Sequence, residues 1–113
     1  MKYLLLIAAA PGTEFPPDFN DDALRWMKEM DDRGVRTLGH RLAPVSDATT
    51  VRVRAGETLL TDGPFAETKE QIGGFDILDC ADLDEALEIA AQHPVARFGV
   101  LELRPFFEFG AAS

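Results

Sequence analysis

The first third of the chain begins with a continuous apolar run and later has apolar residues at the spacing of a helix. Residues 2–9 form a short apolar run that ends at Pro11-Gly12, which predicts a buried central strand. The same run imitates a short secretory signal peptide, but its apolar stretch lies at the short end of the range for such peptides, so the strand is favoured. After a proline-rich loop over residues 10–19, apolar positions recur at helical spacing up to Gly34, with Asn20 as the expected N-cap.

The middle of the chain alternates between polar and apolar residues, which is typical of strands. Residues 35–42 form the second predicted strand. Residues 49–54 and 58–61 flank Ala55-Gly56, so we expect a β-hairpin with a glycine-containing turn.

The last part of the chain predicts two further strands around a second helix. A loop is expected over residues 62–74, followed by a strand over residues 75–79. Asp82 then caps the helix, with Glu85 as its capping-box partner, and residues 98–104 form the last strand. Without the hairpin the order is βαββαβ, which is the ferredoxin-like split βαβ pattern of the α+β class.

Composition and charge narrow the function classes. The chain has 113 residues and a formal net charge of −9, so we expect one domain over residues 1–113 and neither a nucleic-acid nor an anionic-membrane partner. No apolar run reaches the ~18–20 residues that span a membrane. The only cysteine, Cys80, excludes an internal disulfide and a cysteine-based zinc site, and it suits a reducing cytoplasm.

The most informative segment is residues 61–70, which read TDGPFAETKE. Asp62 can hydrogen-bond its own downstream amides, and Gly63 precedes Pro64, which favours an extended backbone at the glycine. Phe65 is then expected to be buried, either inside the chain or across an interface. Charges of both signs follow within a few residues, namely Glu67, Lys69 and Glu70.

This segment resembles the DGPF motif of the YCII-related family, and the resemblance extends over nearly the whole chain. It continues through residues 48–52 before the motif, Gly73-Gly74-Phe75 after it, residues 82–86 and His93-Pro94. The resemblance implies a ferredoxin-like fold that dimerises as an α+β barrel. Many members are uncharacterised, some relatives act on ring-derived organic acids and lactones, and some genes accompany alternative sigma factors. One branch carries a His–Asp pair with its histidine in the first helix, but residues 21–33 contain no histidine here.

Several charged residues are candidates for chemistry, and each has a structural alternative. Asp62 and His40 are the expected proton carriers, although Asp62 can equally cap its own turn. We expect side chains from the motif and from two strands to hold a substrate, unless they form a solvated surface or pair with nearby carboxylates; these are Arg52, Glu67, Lys69 and Arg104.

Other marked positions are expected to be structural. His93 lies near a helix C-terminus, where the helix dipole favours its cationic form. The rest belong to the motif and its flanks: Gly63, Pro64, Phe65, Glu70, Gly74 and Pro94. The histidine spacing predicts no metal site, and no glycine-rich nucleotide motif occurs, so no cofactor is expected.

Two functions remain open at this stage. One is a small-molecule-binding protein or cofactor-free enzyme that moves protons on a small organic acid, as in isomerisation or elimination. The other is a non-catalytic interaction module linked to transcription regulation. Two helices can cover only one face of a four-stranded sheet, so in either case we expect a homodimer in which the other face is covered.

Overall fold

The computed structural model describes residues 1–66 and 69–110 of the chain. Two helices and six strands follow the predicted order, with a short 3₁₀ turn at Val45–Asp47 and another at Pro94–Arg97. The elements are β1 (Lys2–Ala9), α1 (Phe19–Asp32), β2 (Arg36–Arg41), β3 (Thr49–Arg54), β4 (Glu57–Asp62), β5 (Gln71–Asp79), α2 (Leu83–Ala91) and β6 (Val100–Pro105). Within the described residues, no helix is long and apolar enough to cross a membrane.

Four antiparallel strands form the main sheet in the order β2-β5-β1-β6. The apolar N-terminal run is therefore a strand in the interior of the sheet, as the sequence predicts. Its two neighbours are β5 and the last strand, β6. This strand order and the two βαβ halves make the ferredoxin-like α+β fold, while β3 and β4 form a separate two-stranded sheet.

The hydrophobic core lies between one face of the main sheet and the two helices. Leu5 and Leu78 of the sheet pack there with Trp26 and Met30 of α1 and with Ile89 of α2. The indole N–H of Trp26 donates a hydrogen bond to the carbonyl oxygen of Ile89 at 3.1 Å, which ties the helices together. The methionine–tryptophan stripe of α1 is therefore part of the core, as expected from its helical spacing.

The helix boundaries correct two sequence expectations. α1 begins at Phe19, so Asn20 lies in its first turn and is not the N-cap. Asp82 does cap α2, accepting a hydrogen bond from the N–H of Glu85 at 2.9 Å. The Glu85 carboxylate accepts from the N–H of Ala81, one residue before the position that a capping box requires.

The predicted loop before β5 is too long. β5 begins at Gln71, so Gly73 and Gly74 lie inside the strand rather than at its boundary. The pairing with β1 shifts between Ile7 and Ala8, which makes a β-bulge at this point. A side chain on Gly74 would press on the carbonyl oxygen of His40, so the glycine permits the close approach of β2.

The other face of the main sheet has no helix over it. Cross-strand pairing aligns Leu38, Ile77 and Leu4 in one row, and Phe75 with Leu6 in the next. Directly opposed residues share a face, and these rows alternate with the rows that pack on the helices. The helix-free face is therefore apolar across β2, β5 and β1 and carries Glu102 and Arg104 on β6, and we call it the open face.

The β3–β4 hairpin projects from this body. Every residue of β4 is exposed, and only Thr50 of β3 is buried. Positive φ angles at Ala55 (51°) and Gly56 (79°) form the tight turn that matches strand twist. The Cα radius of gyration is 16.4 Å, against the ~13 Å of a compact chain of this length. The predicted hairpin is confirmed, but it adds little to the core.

Candidate functional site

A cavity of about 230 Å³ lies between α1 and one end of the main sheet. Its apolar wall comes from the sheet, from α1 and from the loop before α1, with contributions from Ile7, Phe15, Phe19, Ala23 and Met27. The polar side chains around it are Arg36, Arg41, Asp76 and His93, and His40 also borders it. An apolar cavity with a few converging polar groups is the usual form of a small-molecule site.

The proline-rich loop closes one side of this cavity with aromatic rings. Phe15 stacks against Phe19 at a ring-centroid distance of 4.4 Å, and Phe98 meets Phe15 edge-on at 5.8 Å. Aromatic pairs of this kind stabilise contacts beyond simple burial. Phe15 of this loop and Phe19 at the start of α1 therefore form part of the cavity wall.

Asp76 is the most deeply buried carboxylate among the described residues. It lies opposite Leu5 on the sheet face that packs on the helices, and its Oδ1 accepts a 2.7 Å hydrogen bond from Nε of Arg36. Burial raises the pKa of the Asp76 carboxyl above its ordinary value, and the Arg36 guanidinium offsets only part of that effect.

The guanidinium of Arg36 is fully engaged. Besides Asp76, it donates to the carboxylate of Asp31 at 3.1 Å and to the carbonyl oxygen of Gly39 at 3.1 Å. A Cβ atom at Gly39 would collide with the carboxylate of Asp76, so a glycine is required where the ion pair crosses β2. These contacts fix the orientation of Asp76 at the cavity wall.

His93 is buried and neutral, which corrects the expected cation. The ring is 6% exposed, and burial lowers its pKa to about 4. Its Nδ1 accepts a hydrogen bond from the N–H of Val95 at 3.0 Å, so the ring proton of the neutral form resides on Nε2. The ring also packs edge-on against Trp26, with centroids 4.7 Å apart. Burial of the ring therefore has a larger effect on the pKa of His93 than the helix dipole, which favours the cation.

Arg41 and His40 occupy opposite sides of the same strand end. Arg41 donates a hydrogen bond to Oδ1 of Asn20 on α1 at 3.3 Å and is exposed, so its guanidinium lies at the mouth of the cavity. His40 pairs with Phe75, their rings 6.1 Å apart, in a row of the open face. His40 therefore borders the cavity while its ring belongs to the open face, and its catalytic role stays a prediction.

The other predicted site residues do not join this cavity. Asp62 is exposed at the end of β4, and no hydrogen bond from the described residues reaches its carboxylate. Arg104 pairs with Glu102 at 3.0 Å and lies opposite Leu4, towards the far end of β1. Among the described residues, Asp62 and Arg104 therefore do not line this cavity, and the roles of Asp62, Arg104 and the exposed Arg52 stay predictions.

The DGPF loop borders a second, open hollow of about 890 Å³ between the hairpin and the start of β5. Lys69 and Glu70 lie on this hollow, whereas Glu67 lies outside the described residues. Phe65 is 81% exposed, so the prediction that its ring is buried within the chain is wrong. Phe65 lines this open hollow, next to the hairpin that projects from the core.

Two residues of the motif explain its turn. Gly63 has φ of +94°, a conformation that favours glycine, rather than the extended backbone expected before Pro64. Its N–H donates to the carbonyl of Ala48 at 2.7 Å, and its carbonyl accepts from the hydroxyl of Thr50 at 2.8 Å. Pro64 is half-buried beside it. These bonds close the hairpin end without using the Asp62 side chain.

Pro94 and Cys80 act structurally. Pro94 is buried at the first position of a 3₁₀ turn, where a missing N–H is tolerated. Burial, followed by the charge of Glu85, raises the pKa of the Cys80 thiol, so the thiol is a poor nucleophile, as the acidic neighbours predict. No group of three metal-ligating side chains gathers anywhere in residues 1–66 and 69–110.

Sequence reasoning missed the three polar residues that define the cavity, Arg36, Arg41 and Asp76. One signal was available for Asp76. It stands between Phe75 and Ile77 in a strand whose inward positions are otherwise apolar, and a charge at such a position needs a partner. The partner on β2 could not be identified without the pairing of β2 with β5.

Comparisons with known proteins agree with this fold. The sequence model of the YCII-related domain matches residues 1–110. An uncharacterized protein of Rhizobium meliloti is 42% identical over 106 residues, which cover 77% of this chain and 86% of the relative. A structure of 5-chloro-2-hydroxyhydroquinone dehydrochlorinase from Burkholderia phenoliruptrix, in complex with 2,5-dihydroxybenzoquinone, has a TM-score of 0.50 and 13% identity over 95% of this chain and 94% of that one. The chain belongs to the YCII-related domain family.

Proposed function

We propose that the protein binds a small, ring-bearing organic acid in the cavity between α1 and the sheet, and acts on it by cofactor-free proton transfer. The observation that carries this proposal is the cavity itself, in which an aromatic and aliphatic wall surrounds the buried carboxylate of Asp76. Carboxylates with raised pKa values in apolar clefts are frequent sites of acid–base chemistry. The fold neighbour, which acts on a chlorinated hydroquinone by its name, is consistent with a ring compound as ligand.

The cavity also provides a place for the acid group of such a ligand. The donors of Arg36 are occupied by Asp76, Asp31 and Gly39. Arg41 makes one long hydrogen bond to Asn20 at the cavity mouth, so it is the guanidinium available for a carboxylate. The ring of the ligand then lies against Phe15 and Met27.

Binding is tested by isothermal titration calorimetry with phenylpyruvate, which combines an aromatic ring, a keto group and a carboxylate. We expect wild-type protein to bind it, and Ala23→Phe to weaken binding at least ~10-fold because the added ring fills the cavity. Ala91→Phe is the matched control, since Ala91 is exposed on α2 and does not line the cavity. Failure of wild-type protein to bind, or equal binding by Ala23→Phe, would contradict the proposal.

A homodimer through the open face is part of this proposal. Leu38, Ile77 and Leu4 form a continuous apolar row there, and an exposed apolar surface of this kind marks an interface. Light scattering at micromolar concentration should give about twice the chain mass of 12.4 kDa. Leu38→Glu should shift the protein to monomer, whereas Leu24→Glu on the exposed side of α1 should not. A monomeric wild-type protein would refute the dimer.

The interaction-module alternative is favoured by one observation, the exposed apolar side chains of the hairpin. Val51, Val53 and Leu60 all project from the body without cover from the described residues. On this alternative the hairpin contacts a second protein, and Leu60→Glu abolishes that contact while leaving phenylpyruvate binding unchanged.

The predicted roles of the motif residues depend on whether a second copy of the chain brings them to the cavity. Glu67 lies outside the described residues. Asp62, Arg52, Lys69 and Arg104 do not line the cavity between α1 and the sheet, so they can serve it only across a subunit interface. A loss of phenylpyruvate binding in Asp62→Asn or Lys69→Met would support that placement.

A further inference from the structure

We propose that Asp76 and His93 are the acid–base pair of the cavity, with Oδ2 of Asp76 as the proton acceptor and Nε2–H of His93 as the hydrogen-bond donor to the substrate oxygen. This inference rests on the proposed function, because it assigns the chemistry of the same cavity. Neither residue was marked as catalytic by its sequence context.

Only one of the two carboxylate oxygens of Asp76 is hydrogen-bonded to the protein. Oδ1 is engaged by Arg36, whereas Oδ2 accepts no hydrogen bond from the described residues. Every fully buried side-chain nitrogen or oxygen in that part of the chain has a partner, so Oδ2 must reach accessible space. The side chain is only 5% exposed and lines the cavity, so the cavity provides this access.

The same reasoning applies to His93. Its Nδ1 is engaged by Val95, and Nε2 makes no hydrogen bond to the described residues. Since no fully buried nitrogen in that part of the chain is left without a partner, Nε2 also reaches accessible space, and His93 lines the same cavity. Each residue thus has one polar atom without a partner among the described residues, an acceptor on Asp76 and a donor on His93, and both residues line the same half-open cavity.

The two groups suit complementary tasks. Burial makes Asp76 a stronger base than an exposed aspartate, and Arg36 holds the carboxylate in one orientation. His93 stays neutral at physiological pH, so it stabilises a developing oxyanion as a hydrogen-bond donor without giving up a proton. A neutral imidazole is matched to an oxygen that becomes negative only in the transition state.

The step is a proton transfer from carbon next to a carbonyl group. The C–H bond breaks, its proton forms an O–H bond with Oδ2 of Asp76, and its electron pair moves into the carbonyl as an enolate. The enolate oxygen accepts the hydrogen bond from Nε2–H of His93. Return of the proton to the same or a neighbouring atom regenerates the carboxylate, so no oxidant, reductant or second substrate is needed.

The test measures hydrogen exchange, because exchange reports the proton transfer without any net reaction. Phenylpyruvate has a methylene group next to its keto group, and in D₂O a base that removes one of these protons returns deuterium. Proton NMR of the methylene signal follows the rate. We expect wild-type protein to exceed the buffer rate and Asp76→Asn to lose at least ~100-fold of that acceleration.

Matched variants separate chemistry from structure. Asp32→Asn makes the same substitution at an exposed carboxylate of α1 that pairs with Lys28 and does not line the cavity, so it should exchange within about three-fold of wild type. His93→Asn keeps an acceptor for the N–H of Val95 but removes the donor at Nε2, so we expect a loss of roughly 100-fold. His93→Gln restores a donor near Nε2 and should recover part of the rate.

The pH profile gives a second readout. The charged and titratable groups that act on Asp76 are Arg36 and His40 on β2 and Asp31 on α1. Exchange by wild-type protein should fall at low pH, with an inflection above the ordinary carboxyl value of 3.8. Asp32→Asn should keep this inflection, and Asp76→Asn should lose it.

Each outcome separates this inference from the proposed function. Phenylpyruvate binding with unchanged exchange in Asp76→Asn overturns the acid–base pair and leaves the binding site intact. Binding without any exchange above buffer in wild-type protein also overturns it. Absence of binding refutes the proposed function itself.

Discussion

The helix-packed body and the β3–β4 hairpin use the same apolar residues in opposite ways. Leu5 of β1 is 0% exposed, whereas Leu60 of β4 is 68% exposed. Both strands contain consecutive leucines, but only the main sheet has helices over one face. The local pattern therefore predicts a strand, while burial depends on what covers that strand.

Charged groups show the same contrast. In the body, Asp76 is buried, held by Arg36, and lines the cavity between α1 and the sheet. In the hairpin and its loop, Asp62 and Lys69 are exposed. A low-dielectric surrounding strengthens electrostatic interactions, so the body is the better place for proton transfer despite the distinctive motif in the loop.

The largest expected difference between the two regions is in stability. Leu5→Ala should lower the free energy of unfolding by about 2–5 kcal/mol, because it leaves a cavity in the core. Leu60→Ala makes the same chemical change at an exposed site and should have an effect within about 0.5 kcal/mol. Chemical denaturation measures both. Equal losses would show that Leu60 is buried in the functional assembly.

A smaller difference should appear as the pH is lowered. The folded-state pKa of His93, about 4, lies below the ordinary 6.5, so unfolded chains bind a proton that folded chains exclude. Stability is therefore lost as pH falls from 6.5 towards 4, by up to about 3 kcal/mol from this residue. His93→Asn should show a shallower decline in denaturation experiments. Parallel profiles for the two proteins would mean that His93 is not buried as a neutral ring.

Alanine substitutions at two glycines should give the smallest difference in stability between the body and the hairpin. Gly39→Ala should destabilise by about 1.5–3 kcal/mol, because the new methyl group displaces the Asp76 carboxylate from Arg36. Gly56→Ala in the hairpin turn should cost about 1 kcal/mol, since φ is +79° with open space around it. Phenylpyruvate binding provides the second measurement, and only Gly39→Ala should weaken it. A larger loss of stability in Gly56→Ala than in Gly39→Ala would show that the hairpin turn tolerates a side chain less well than β2 does.

The parts of the fold that were predictable are those set by local pattern. The apolar run of β1, the turn at Ala55-Gly56 and the cap at Asp82 each depend on neighbouring residues. The burial of Phe65 within the chain and the charge of His93 do not, and both of these predictions were wrong. The first depends on whether the hairpin packs on the body, and the second on desolvation by Trp26 and its neighbours.

The site was less predictable than the fold for the same reason. Asp76 and Arg36 are 40 positions apart and meet only because β2 pairs with β5. The DGPF motif attracted the functional assignment because its residues are contiguous. Of the predicted catalytic and substrate-binding residues that the structure describes, His40 alone borders the cavity between α1 and the sheet.

The central claim is that the ligand binds in the body and not at the hairpin, and an amide NMR titration with phenylpyruvate tests it directly. We expect the largest amide chemical-shift changes at residues that line the cavity, such as Met27, Asp76 and Val95. Amides of Val53 and Leu60 in the hairpin should stay unchanged. Chemical-shift changes concentrated in residues 49–66, with the cavity residues unaffected, would contradict binding in the body and would place the ligand at the hairpin and the DGPF loop.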